Sequence, residues 1–274
     1  MGQTHQREEA IFDAAMSEAE TSLREGIAIL REASEKDPSQ EILLGSALHH
    51  LADVLRKRKN LDDSRAFAEE AVALYQRHSD WPTSEAVDAF RGLRAVLGDQ
   101  RDFEQLDAVW PQQLQTMRAR LPSDDPEFAT ELAYFVMRLL SREKLREAEP
   151  LARECLVIRE KKVPDDWQTF NSRSLLGGSL LGQKKYADVE PLLLSGYEGM
   201  MQREDKIPPA GRPRLKETLQ RLVQLYEATG RPDHVAKWKQ KLAEFKEKED
   251  QRRTAIAREA QSRDSASKPN RPPK

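Results

Sequence analysis

The chain has 274 residues, 38% of them apolar and 34% charged, with a formal net charge of −2 and one cysteine. A charge so close to balance argues against the whole chain binding nucleic acid or an anionic membrane surface, and one cysteine excludes an internal disulfide and fits a reducing cytoplasm. No run approaches the roughly 18 apolar residues needed to cross a bilayer, and the polar residues 1–10 lack the apolar core of a secretion signal. The chain is therefore expected to be cytoplasmic, without membrane contact.

In chain order, residues 1–7 read as a flexible N-terminus and 8–36 as a leading helix that stops at Lys36-Asp37-Pro38. Five helix pairs are predicted next, at about 41–79, 83–121, 126–163, 168–206 and 211–248. In the first, Leu44, Leu48, Leu51 and Leu55 keep the three- and four-residue spacing of one helix face. Lys59-Asn60-Leu61 interrupts it, Ala71, Val72 and Tyr75 resume it, and Ser79-Asp80-Trp81-Pro82 closes the pair. The second pair turns at Arg101-Asp102-Phe103 and ends at Leu121-Pro122. The third carries Leu132, Phe135, Val136 and Leu139, turns at Glu143-Lys144-Leu145, continues through Cys155, Leu156 and Ile158, and ends at Val163-Pro164. The fourth turns at Lys184-Lys185-Tyr186, continues through Leu192, Leu193 and Tyr197, and ends at Ile207-Pro208-Pro209. The fifth has Leu219, Leu222, Val223 and Tyr226 before Thr229-Gly230-Arg231-Pro232-Asp233. Leu61, Phe103, Leu145 and Tyr186 stand 42, 42 and 41 positions apart, a regularity that marks an internal repeat. Proline stops one helix, and Asp, Ser or Thr caps the next. Residues 249–274 read as a helical extension followed, from Asp264, by a disordered basic tail; from Gln251 on there are seven basic and two acidic residues.

The segment 169–197, TFNSRSLLGGSLLGQKKYADVEPLLLSGY, resembles a tetratricopeptide repeat of the longer, kinesin-light-chain-like kind. Leu176-Gly177, Leu180, Tyr186 and Glu190-Pro191-Leu192 fall where that family has its small and large packing residues. Residues 142–242 also resemble tetratricopeptide arrays that follow a serine/threonine protein kinase domain in some bacterial proteins, through PLARECLVIREKKVPDDWQTFNSRSLLG and ETLQRLVQLYEATGRPD. The first hundred residues depart from the pattern, with Arg94 where the family has a small residue. The resemblance implies an all-α, right-handed superhelical solenoid of antiparallel helix pairs. The first helix of each pair would line a concave face that binds a protein or peptide of unspecified identity, without catalysis. A second implication is a regulatory or partner-recruiting module associated with, or separated from, a kinase.

The residues that could carry chemistry have structural readings. His49 and His50 are adjacent, so they leave a helix on different sides, and no i, i+4 pair is available to a metal. Cys155 has no base near it in sequence and reads as a packed core thiol. Gly177-Gly178 lacks the spacing of a phosphate loop and reads as a close helix contact, and the kinase signatures are missing. Neither a catalytic residue, a cofactor nor a metal is expected.

Concave-face positions follow from the repeat, at about fifteen, twelve and eight residues before each bulky turn residue. They are Ser46, His49 and Asp53, with Arg56 and Lys57 at the rim; Asp88, Arg91 and Ala95; Thr130, Ala133 and Met137, with Tyr134 beside them; Asn171, Ser174 and Gly178; and Glu217, Gln220 and Gln224. Among these, His49, Asp53, Arg56, Arg91, Tyr134, Asn171, Ser174, Gln220 and Gln224 are the candidate ligand-binding residues. Asn171 matches a position where such repeats use asparagine to hydrogen-bond a peptide backbone, while His49 and Arg91 suit acidic side chains.

Overall fold

The computed structural model describes residues 2–78 and 83–266, which form eleven α-helices and two short 3-10 turns, with no strand among the described residues. They divide into two compact units, 1–123 and 124–274. The first holds α1 (Gly2–Lys36), α2 (Glu41–Lys57), α3 (Leu61–Arg77), α4 (Thr83–Asp99) and α5 (Phe103–Arg120). The second holds α6 (Pro126–Ser141), α7 (Leu145–Lys162), α8 (Trp167–Gly182), α9 (Tyr186–Met201), α10 (Pro213–Ala228) and α11 (Pro232–Ala266). The break at Ser79-Asp80-Trp81-Pro82 and the tail after Ala266 lie outside the described residues.

Two boundaries differ from expectation. The segment 1–7, expected to be flexible, is helical from Gly2, because nothing between it and the leading helix breaks the backbone hydrogen-bond ladder. Asp264 to Ala266, expected to be disordered, continue α11.

Each pair closes through one turn, repeated five times. Lys59, Arg101, Glu143, Lys184 and Gly230 have φ of 65, 59, 57, 62 and 67°. The next residue's N–H reaches back to the carbonyl five positions earlier: Asn60 to Leu55 (2.9 Å), Asp102 to Leu97 (2.9 Å), Lys144 to Leu139 (2.9 Å), Lys185 to Leu180 (3.1 Å) and Arg231 to Tyr226 (3.0 Å). This left-handed C-terminal cap satisfies the last carbonyls of the first helix and reverses the chain. Asp125 and Asp166 cap the helices that follow two of the proline loops, accepting from Glu127 N at 2.7 Å and Gln168 N at 2.8 Å. Pro150 and Pro191 sit in the second helices α7 and α9, near their starts, and Pro111 lies mid-helix in α5.

Within each unit, helices pack against their sequence neighbours, and first helices also pack side by side: α2 with α4, and α6 with α8 and α8 with α10. In the first unit Leu48, Leu51, Leu55, Ala71, Tyr75, Phe90 and Leu97 form one buried cluster. In the second, Met200, Ile207 and Leu215 pack with Trp167, Phe170, Tyr197 and Phe245. Ion pairs tie successive repeats across the surface: Arg31–Glu70 at 2.7 Å, Lys185–Glu149 at 2.6 Å, Arg231–Glu190 at 2.6 Å and Lys248–Glu204 at 2.8 Å, joining residues 36 to 44 positions apart. Contacts that reach only the next repeat are the mark of a stack built by repetition.

Candidate functional site

Side-by-side packing of α6, α8 and α10 places their inward positions on one face of the second unit. A cavity of about 610 Å³ opens there. Leu140, Leu145 and Leu181 give it an apolar wall, Gly178 and Gly182 let the Arg221 and Leu145 side chains lie close against α8, and Met137, Arg214, Glu217 and Gln224 line it further. Arg214, Glu217, Arg221 and Gln224 follow one another at three, four and three residues, one stripe of α10.

One carboxylate serves two guanidiniums in this stripe. Glu217 accepts from Arg214 at 2.9 Å and lies 3.7 Å from Arg221. Arg214 also reaches the Met137 sulfur at 2.8 Å. Arg221 donates to Ser174 Oγ at 2.9 Å, and that hydroxyl shares a 2.7 Å hydrogen bond with Thr218. Burial pushes the pKa of Arg221 down, with Glu217 opposing and Arg214 adding to the shift; the guanidinium remains a cation at any ordinary pH. A Cβ at position 178 would stand 2.7 Å from Arg221 Nε, so the arginine can lie across α8 because Gly178 has no side chain.

The first unit fills the corresponding face differently. Asp53 pairs with Arg56 (3.1 Å) and Lys57 (2.6 Å), Arg56 also with Asp99 (3.1 Å), and Arg91 with Asp88 (3.1 Å). His49 Nδ1 would be 2.9 Å from a Cβ at Gly92, so the imidazole occupies the space that glycine leaves on α4. Burial holds the His49 pKa below its ordinary value, helped by His50 and opposed by Asp88 and Asp53. The structure thus brings His49, Asp53, Arg56 and Arg91 together on one face.

In the second unit the expected residues separate. Tyr134 is 51% exposed, one turn before Met137 on α6, and Gln220 and Gln224 are exposed on α10. Asn171 and Ser174, expected to face the ligand, are buried at 4% and 0% exposure. Ser174 lies beneath Arg221 and anchors it. The reason is that α8 lies between two other first helices, and long side chains from α10 cover it. The Asn171 side-chain oxygen is buried with no hydrogen-bond partner. Sequence spacing missed Arg214 and Arg221; the signal was their i, i+7 placement around Glu217 in RLKETLQR. Cys155 is fully buried, donating to Ala129 O at 3.2 Å and lying 3.3 Å from Ser172 Oγ, with its pKa raised by burial. Gly177 faces Leu193 of α9 across a close contact.

None of the described helices is long and apolar enough to cross a membrane. Residues 44–80 and 132–166 match the sequence profile described as "Tetratricopeptide repeat". No curated protein matches the sequence. Among solved structures, BtubC (BKLC) from P. vanneervenii is similar at TM-score 0.61 and 13% identity, over 95% of this chain and 96% of that one. A putative kinesin light chain from Podosopora anserina with nearly identical TPR-like repeats gives TM-score 0.57 at 13% identity, over 75% of this chain and 95% of its own. YrrB, described as a TPR protein with an unusual peptide-binding site, gives 0.51 at 12% identity, over 79% and 91%. These likenesses support the long-repeat resemblance; the likeness to kinase-attached arrays gains nothing from them. The profile match over residues 44–80 and 132–166 covers about a quarter of the chain, and the fold is that of the TPR-like, kinesin-light-chain-like solenoids.

Proposed function

We propose that the chain is a non-catalytic scaffold that binds an extended peptide or a helix of a partner protein on its first-helix face, with the second unit's cavity as the anchoring subsite. The observation that carries this reading is the open 610 Å³ space beside α8, with Leu140, Leu145 and Leu181 on one side and Arg214, Glu217, Arg221 and Gln224 on the other. Apolar walls with a few placed polar groups suit a side chain of a bound segment better than a reacting substrate. YrrB, whose description names a peptide-binding site, is a relative in fold. The first unit has a polar face of its own, with His49 and Arg91.

Capture from native lysate followed by mass spectrometry tests this, comparing the wild type with Gly178→Leu, Asn171→Ala and Arg91→Glu. Gly178→Leu fills the cavity and displaces Arg221, and is expected to abolish retention of the partner while the far-UV circular dichroism is unchanged. Arg91→Glu is expected to weaken it, and Asn171→Ala, at a buried position, to leave it unchanged. Equal capture by all four chains rejects the assigned face.

A further inference from the structure

The first helix carries an exposed stripe that the proposed peptide face does not use. Ile11, Ala15, Ser22, Gly26 and Ile29 recur at four, seven, four and three positions, which puts them on one side of α1. Ile11 and Ile29 are 62% and 68% exposed, and Gly26 has open space where a Cβ would stand. On the core side, Ile27 is buried and Leu23 and Leu30 pack against the first unit, so the stripe is a second, unoccupied face. Glu18 and Glu25 border it, both exposed. Over residues 6–36 eight acidic side chains stand against four basic.

The far end of α11 has the opposite character. Trp238 is buried and Phe245 packs against the second unit's core, but Arg253, Ala255, Ile256 and Arg258 are exposed, Ile256 at 61%. From Gln251 on, seven basic residues stand against two acidic. Arg252 pairs with Glu204 at 3.5 Å, but the side of the helix that carries Ile256 is left largely open, and an exposed isoleucine gains by burial.

We propose that the α11 extension of one copy docks along the Ile11–Ile29 stripe of α1 in a second copy, Ile256 against the apolar and small residues and the arginines beside Glu18 and Glu25. The glycine and alanine of the stripe admit a close helix, and opposite charge fixes which end meets which. The two surfaces differ, so a copy can exchange helices with one neighbour or link to two, as in heterologous assemblies.

Sedimentation velocity and light scattering on the full chain test this. Mass above the monomer is expected to grow with concentration and to fall toward the monomer in about 0.5 M salt, where charges a few ångströms apart are screened. Glu18→Arg with Glu25→Arg, or Arg253→Glu with Arg258→Glu, is expected to weaken assembly about tenfold or more; these positions are exposed, so circular dichroism should not change. Ile256→Asp is expected to do the same. The decisive chain carries all four reversals, and should assemble again. A monomer up to about 100 µM in low salt, which would set any Kd well above that, overturns the proposal. So does an oligomer indifferent to the reversals, or a four-reversal chain that stays monomeric.

Discussion

The inner faces of the two units are made from the same helix pairs, yet they differ in what they leave open. On α2 and α4, charges answer one another nearly one for one, and an imidazole fills the gap beside Gly92. On α6, α8 and α10, Arg221 and Leu145 lie over the glycines at 178 and 182, yet a cavity of about 610 Å³ stays open beside them, where two arginines share one glutamate. Repetition sets where a face will be; the size of one residue and the pairing of a few charges set whether that face is closed or receptive.

The largest expected effect tests how closely each unit packs. Gly196 of α9 meets backbone: an added Cβ would lie 2.9 Å from Phe170 O and 3.1 Å from Ser174 N. Gly196→Ala should destabilise the second unit by about 2 kcal/mol or more in urea unfolding, since backbone cannot move aside. Gly45→Ala in the first unit meets only the Tyr75 ring, at 3.1 Å. There the helix preference of alanine, about 1 kcal/mol, should nearly offset the crowding. Equal losses in the two variants would remove the packing distinction.

Smaller effects probe the shared turn. Lys59, Arg101, Glu143 and Lys184 hold a left-handed conformation that costs an L-residue about 1 kcal/mol relative to glycine. Glycine at any of the four should raise stability by about 0.5 kcal/mol or more, and Gly230→Ala should lower it by about 1 kcal/mol. Opposite signs in thermal unfolding would mean the turn is not strained.

The smallest effects are in pH dependence, and they separate the units. Burial depresses the His49 pKa, so the unfolded chain binds that proton more readily. The first unit should therefore be fully stable above the ordinary value of 6.5 and lose stability as pH falls below it. His49→Gln should remove that loss. In the second unit Lys185, then Arg153 and Gln183, hold Glu149 down at about 2 against an ordinary 4.5. Its contribution is present above pH 4.5 and disappears as pH falls toward 2, and Glu149→Gln should flatten the acid limb there. Because Glu149 is near the surface, added salt should shrink the effect.

Much of the fold was legible in the residues alone. Apolar spacing of three and four located both helices of each pair, and the turn residues 42, 42 and 41 positions apart located the repeats, because a hairpin with one greasy side can bury it only against its neighbours. His49, Asp53, Arg56 and Arg91 were also legible as a set, since equivalent positions in adjacent first helices must share a face.

Tertiary structure alone decided which of those positions remain accessible. Asn171 and Ser174 occupy inward positions as expected, but α8 lies between two helices, and Arg221 reaches across to cover its glycine and bond its serine. That depends on the reach of a side chain from the next repeat, more than forty residues away, which a period cannot encode. Periodicity reports direction from a helix axis; burial is decided by whatever the neighbouring helix extends into the same space.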